Sequence, residues 1–322
     1  MEPSNTEHPS QQTSSDTQEP NNVQTHTEQN IQSEAKDSNP VIEPAIYPAP
    51  KFVVPGNPEL TAEEYNTLAS QQEKAIKQEI EKEPMISQAF DIKELISEFE
   101  NQYNFVKKII YVIEVHKKKT MRKARKDGNC FYRSYIYRLA EILVADKLQL
   151  GVKALLKQIP ETRKLLVQAG FQELVFEDFE DNWREFLRRI ESRQTTAEIL
   201  SAIFSDKPYF DFLVMYLRFA ISAYIRTSPL FESFFEFQDE LNNFCSREVE
   251  PIDCEADHIQ IMALYNLFNV SLRIFYIDNN NKEEPTILSL PECDNNPQAI
   301  NDSNYLYLIQ MMYRPGHYDL LY

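Results

Sequence analysis

Two short segments of this chain hold the residue types needed for thiol chemistry. One is Asp127-Gly128-Asn129-Cys130-Phe131-Tyr132-Arg133. The other is the last stretch, Tyr313-Arg314-Pro315-Gly316-His317-Tyr318-Asp319-Leu320-Leu321-Tyr322. Glycine is scarce, 5 in 322 residues, yet each segment has one just ahead of its reactive candidate. Glycine lets the backbone turn in conformations that other residues avoid. After Cys130, the apolar residues Phe131, Tyr132, Tyr135, Ile136, Leu139, Ile142 and Leu143 recur at helical spacing. Cys130 is therefore predicted at a turn entering the N-terminus of a buried helix. Unpaired N–H groups and a partial positive charge gather there and favour a thiolate. In an extended strand, His317 and Asp319 would point to one face. An imidazole oriented by a carboxylate and facing a cysteine activates the thiol, and such partners meet in the fold, not in the sequence.

The other histidines fit the role less well. His258 has no aspartate two residues on in an extended segment. His8 and His26 fall in a polar N-terminal stretch, and His116 adjoins a run of bases. His317 is the predicted base.

The two segments together resemble the otubains, a family of ovarian-tumour-type cysteine proteases that remove ubiquitin. The resemblance runs from about Gln72 to Tyr322. It takes in Phe176-Glu177-Asp178-Phe179, Glu248-Val249-Glu250-Pro251 and Asp257-His258-Ile259. It implies Cys130 as nucleophile, His317 as general base and Asp319 as its orienting carboxylate. Asp127, with the backbone N–H groups of Asp127, Gly128, Asn129 and Cys130, would form the oxyanion hole. The chemistry suits each role, since fixed N–H donors stabilise the charge that develops on oxygen and the imidazolium protonates the leaving amine. Taken alone, without the resemblance, Asp127 reads first as a helix cap. The sequence departs from the family pattern at Lys126, where a proline is usual, and at Ser134, where an alanine is usual. Neither change touches a reacting group.

The implied activity is hydrolysis of isopeptide bonds in polyubiquitin, of the lysine-linked type that targets the proteasome; the sequence itself shows no linkage preference. The implied partners are ubiquitin, polyubiquitin chains and a ubiquitin-conjugating enzyme, with the chain a monomer and no cofactor needed. Two alternatives stay open. One is a regulator that binds a ubiquitin-charged conjugating enzyme, with catalysis secondary. The other is a thiol protease for a different ubiquitin-like modifier.

Around these segments the chain divides by composition. The net charge is −17, and residues 1–50 hold eight acids against one lysine, with no aromatic before Tyr47. Such a stretch buries too little apolar surface to offset its ordering entropy, so residues 1–58 are expected to be a disordered tail. Residues 59–84 read as a charged helix, with a capping box at Thr61-Ala62-Glu63-Glu64, a staple of Leu60 against Tyr65, and Pro84 as its stop. Residues 85–322 read as the catalytic domain. Within it a helix starting at Asp91 should bury Ile92, Leu95, Ile96 and Phe99.

Lys117, Lys118, Lys119, Arg122, Lys123, Arg125 and Lys126 put seven bases in ten residues. No aromatics interleave them, so a nucleic-acid surface is not expected; a solvated loop is the first reading, with support for a Cys130 thiolate or contact with acidic substrate groups as the alternatives. Residues 152–244 read as mostly helical, with residues 209–220 apolar nearly all round and hence central. Asp257 is a predicted N-cap. Residues 270–277, 287–290, 304–313 and 317–322 read as strands, with a turn at Asp278-Asn279-Asn280-Asn281. The pattern gives an α+β fold, a helical body on a small C-terminal antiparallel sheet, and the otubain resemblance implies that this is the papain-like layout.

No apolar run is long enough to span a bilayer, and no secretory signal is visible. The four cysteines, Cys130, Cys245, Cys254 and Cys293, form no CxxC pair, which argues against a zinc site and a disulfide framework. The cytoplasm is the expected compartment, with the nucleus second.

Overall fold

The computed structural model describes residues 62–291 and 307–322. The tail expected at 1–58, the residues Leu60 and Thr61 expected in the staple and capping box of the first helix, Cys293 and the start of the strand expected at 304 lie outside the described residues.

Helix α1 (Ala62–Lys82) ends just before Pro84, which has no N–H to continue it. Both Leu68 and Ile76 on it are exposed. The helix predicted from Asp91 is short. Strand β1 (Phe90–Asp91) comes first, the Asp91 carboxylate accepts the Lys93 N–H at 2.9 Å, and only then does α2 (Glu94–Glu98) follow. Helix α3 (Tyr103–Glu114) was not anticipated, although it is built on Phe105, Ile109 and Val112 at helical spacing.

The basic run is not a solvated loop. Its middle is strand β2 (Thr120–Arg122), and Lys118 and Arg125 are buried. Arg125 donates to the Glu83 carbonyl at 2.8 Å, Arg122 to the Ser87 carbonyl at 2.9 Å, and Lys123 pairs with Glu98. These cations tie the segment after α1 and the α2 region to the sheet.

Four helices follow, α4 (Cys130–Ala145), α5 (Leu150–Gln168), α6 (Glu173–Glu191) and α7 (Ala197–Ile203). Helix α8 (Lys207–Thr227) is the central helix expected from its apolar run. Asp206 caps it by accepting the Tyr209 N–H at 3.2 Å, and Ser228-Pro229 ends it. Phe210, Leu213, Val214, Leu217, Ala220 and Ile221 on it are fully buried. The chain after it forms a 3-10 turn (Pro229–Phe234), α9 (Gln238–Phe244) and a π turn (Cys245–Val249). Helix α10 (His258–Phe268) begins in a full capping box, Asp257 with Gln260. Strands β3 (Ser271–Tyr276), β4 (Thr286–Leu290), β5 (Leu308–Arg314) and β6 (His317–Leu321) complete the elements.

One six-stranded sheet runs β1-β2-β6-β5-β3-β4. The α+β class stands, but the sheet is mixed and not solely C-terminal. Strands β3 and β5 are parallel, and β1 and β2 come from ahead of Cys130. The reason is a long connection after β4, which returns the chain to lay β5 along β3 in the same direction. The larger core lies on one face, where α4 packs on β6 through Phe131 and Tyr318. A second cluster on the other face joins Leu95, Phe105, Ile109 and Val112 to Phe275, Met312 and Leu321. Strand β6 is thus interior to the sheet and covered on both faces. Among the described residues no helix is long and apolar enough to cross a membrane.

Candidate active site

Cys130 is the first residue of α4, and the turn before it is tight. Gly128 has φ +77°, and a Cβ there would fall 2.0 Å from the Asp253 carbonyl oxygen. A glycine is therefore required twice over, by the left-handed backbone and by the neighbouring chain. Asp127 stabilises the turn from within. Its carboxylate accepts the Asn129 N–H at 3.2 Å and pairs with Arg133, which also reaches Asp211 at 2.8 Å. Asp127 thus braces the approach to α4, while the N-cap position belongs to Asn129.

His317 and Asp319 begin β6. Pro315 and Gly316 form the hairpin turn that pairs Arg314 with His317, with Gly316 at φ +75°. The two-residue period puts both side chains on one face, and His317 Nε2 lies 2.8 Å from Asp319 Oδ1. Asp319 is fully buried and well supported. Its Oδ1 also accepts the Ala124 N–H at 3.1 Å, and Arg314 holds Oδ2. Burial alone would raise the Asp319 pKa. The His317 hydrogen bond and the Arg314 charge outweigh it and leave the carboxyl below its usual range. An ionised Asp319 requires the proton on Nε2, so Nδ1 is the basic nitrogen of neutral His317. That atom is buried and has no hydrogen-bond partner.

The thiol meets strand β6 at the residue between His317 and Asp319. The Tyr318 N–H donates to Cys130 Sγ at 3.4 Å. Here an expectation is overturned. Cys130 is only 2% exposed, and burial pushes its thiol up to about 12. The Tyr318 N–H works against this rise, while the charges of Asp319 and Glu255 add to it. The helix end and the basic run therefore do not hold a standing thiolate; desolvation wins. Of the four backbone N–H groups proposed for the oxyanion hole, that of Asp127 donates to the Arg125 carbonyl at 3.0 Å and that of Asn129 to Asp127. The other two belong to Gly128 and Cys130.

The remaining candidates fall elsewhere. His258 is exposed at the first position of α10. The ring of His116 packs on Phe275, with centroids 4.7 Å apart. Cys130, Cys245 and Cys254 are free thiols, and among the described residues no His/Cys/Asp/Glu group could hold a metal. A cavity of about 510 Å³ lies between α1 and the nucleophile turn, lined by Ile76, Lys77, Ile80, Asp127, Gly128, Asn129 and Asp253 among others.

Residues 78–322 match the family model described as Peptidase C65 Otubain. The chain belongs to the otubain family. Human ubiquitin thioesterase OTUB1 is 34% identical over 262 residues, covering 80% of this chain and 90% of that protein. The otubain-like ubiquitin thioesterase of Caenorhabditis elegans is 30% identical over 260 residues, 79% of this chain and 87% of that protein. A solved complex of h/ceOTUB1 with ubiquitin aldehyde and UBC13~Ub superposes with TM-score 0.69 at 28% identity. The match covers 80% of this chain and 98% of the solved one.

Several residues of this otubain's site escaped the sequence reading. Arg314 was readable from the hairpin register, because it stands opposite His317 and two positions along from Met312, the partner of Asp319. Glu255, whose Oε1 would lie 3.2 Å from a Cβ on Gly316, and Arg218, which reaches the Gly128 carbonyl, come from distant segments and left no local signal.

Proposed function

We propose that this otubain, a cysteine-type deubiquitinase, hydrolyses isopeptide bonds of polyubiquitin through an acyl-enzyme on Cys130, with His317 and Asp319 as its base and orienting carboxylate. The observation that supports the reading is the buried Tyr318 N–H to Cys130 Sγ contact, made by the residue between His317 and Asp319.

The chemistry follows from the protonation states. His317 Nδ1 takes the Cys130 proton as substrate enters, because the resting thiol is neutral. The sulfur attacks the ubiquitin C-terminal carbonyl carbon. The oxyanion forms beside the start of α4, where helix N–H groups and the helix dipole favour negative charge. The carbon–nitrogen bond then breaks and His317 returns the proton to the leaving lysine amine. Water, deprotonated by His317, attacks the thioester and frees the acid and the thiol. Chains of the proteasome-targeting lysine linkage are the proposed substrate, as the family resemblance implies.

Ubiquitin bearing a C-terminal electrophile tests this directly. It should label Cys130 and fail to label Cys130→Ala. Labelling only by a different ubiquitin-like modifier would sink the proposal. A panel of differently linked diubiquitins reads the linkage.

A second reading is favoured by α1. It is largely exposed, presents Leu68 and Ile76, and is linked to the body by Lys77 and Asp253 at 3.2 Å. Solved relatives with similar folds hold UBC13~Ub and UBCH5B~Ub. On this reading the chain sequesters a ubiquitin-charged conjugating enzyme. If Cys130→Ala still blocks ubiquitin transfer and deletion of residues 1–84 abolishes the block, the binding role holds.

A further inference from the structure

The nucleophile turn is governed by a residue far away in sequence. Arg218, in the middle of α8, is fully buried. Its Nη2 lies 2.7 Å from Asn129 Oδ1 and 3.2 Å from the Gly128 carbonyl, and also 3.0 Å from the Ile252 carbonyl and 2.6 Å from that of Cys254. Its Nη1 donates to the Val249 carbonyl at 2.9 Å, and the guanidinium stacks over the Tyr132 ring at 4.3 Å from the centroid. One cation thus joins the turn before Cys130, the first turn of α4 and the segment 249–254.

Asn129 shows what this does. It occupies the N-cap of α4, where an asparagine ordinarily accepts an N–H of the first helical turn. Here it makes no such bond. Its side-chain oxygen is turned toward Arg218, and its amide nitrogen lies 3.4 Å from the Asp127 carbonyl. The helix end is therefore left without a side-chain cap at the place where substrate charge would develop. A side-chain cap from Asn129 would occupy one of the first-turn N–H groups. Meanwhile the Asp253 carbonyl presses against Gly128, so the turn keeps its position only while segment 249–254 keeps its own. Arg218 holds both sides of that contact.

We propose that Arg218 is a positioning residue of the reaction: it fixes the turn at Gly128 and Asn129 and withdraws the Asn129 side chain from the α4 end, leaving helix N–H groups to stabilise the oxyanion. This rests on the assignment of Cys130 as the nucleophile. It adds a requirement from α8 that the triad alone does not contain. Arg218 does not touch the reacting atoms; it acts through Asn129 and Gly128.

The test compares carbonyl chemistry with alkylation of the same sulfur. Arg218→Met removes every polar contact. Arg218→Lys keeps the charge but cannot span acceptors on two segments, and it serves if the Met variant does not fold. With a ubiquitin C-terminal amide, kcat should fall by about 10²-fold, the order expected when catalytic groups are displaced by about 1 Å, while KM stays near the wild-type value. Alkylation of Cys130 by iodoacetamide develops no oxyanion and should keep its rate. Hydrogen exchange of the wild-type and variant proteins supplies a readout without ubiquitin: amides in residues 127–132 should exchange faster in the variant while those of α5 and α6 do not. An unchanged kcat, a fall in alkylation parallel to kcat, or unchanged exchange at 127–132 would each overturn the proposal. If the wild-type chain cleaves no ubiquitin substrate, the functional reading fails by itself, and the exchange measurement still decides the role of Arg218.

Discussion

His317 Nε2 and Asp319 Oδ1 lie 2.8 Å apart, and that distance assigns the tautomer of the base. With Asp319 ionised, Nε2 carries the proton and Nδ1 is free to take another. Asp319→Asn keeps the shape of the site but removes the negative charge. The amide can then stabilise the wrong tautomer and cannot stabilise an imidazolium. A loss in kcat on the order of 10⁴-fold is expected from this mechanism, with little change in KM. Steady-state kinetics with a ubiquitin C-terminal amide measure it, and a loss of less than roughly tenfold would show that Asp319 does not orient the base.

The same carboxylate predicts acid sensitivity. Its folded pKa lies below the ordinary value of 3.8, because the His317 and Arg314 contacts overcome burial. A carboxyl shifted downward stabilises the fold above its unfolded pKa, and that stabilisation disappears as the pH falls through the folded pKa. Urea midpoints measured near neutrality and at about pH 3 should therefore fall more steeply for the wild type than for Asp319→Asn. Parallel slopes would mean that Asp319 gains nothing from its partners.

Cys130 predicts the opposite end of the scale. Its thiol is pushed up to about 12, from a reference value of 9.0, by burial. In the free protein, alkylation by iodoacetamide should climb about tenfold per pH unit between about pH 6 and 9, because only the thiolate reacts. A standing thiolate–imidazolium pair would instead give a plateau. The sign for stability is also fixed. The folded state retains the proton above pH 9.0, so its contribution is complete below that value and declines as pH rises from 9.0 toward 12. A rate plateau below pH 8 would refute the buried neutral thiol.

How far the sequence reached depended on distance along the chain. The nucleophile turn was legible because Gly128, Cys130 and the apolar spacing of α4 lie within one window. The His317–Asp319 pair was legible because a strand places alternate residues on one face. The thiol's protonation state was not, since it depends on desolvation by burial in the folded chain and on charges from Asp319 and Glu255. Nor was the fate of the basic run. Composition shows seven cations but cannot show that Arg125 reaches the Glu83 carbonyl or that β2 fills the slot between β1 and β6. The parallel pairing of β3 with β5 was hidden for the same reason, because strand direction is set by a long connection and not by local pattern.

The two glycines that flank the site should respond differently to alanine. At Gly128 the added Cβ would meet backbone, the Asp253 carbonyl oxygen at 2.0 Å, and φ is +77°. Neither obstacle can yield without moving the nucleophile turn or segment 249–254. At Gly316 φ is +75°, but the nearest atom is the flexible Glu255 carboxylate at 3.2 Å. Gly316→Ala therefore carries mainly the left-handed backbone strain, about 1–2 kcal/mol. Gly128→Ala adds a clash to that strain and should destabilise more. Because the clash lies two residues before Cys130, its kcat should fall even where the variant remains folded. Thermal unfolding ranks the two variants, and hydrolysis of a ubiquitin C-terminal amide below both melting temperatures separates activity from folding. If Gly316→Ala proves the more destabilising, the close approach of Asp253 to Gly128 does not govern this turn.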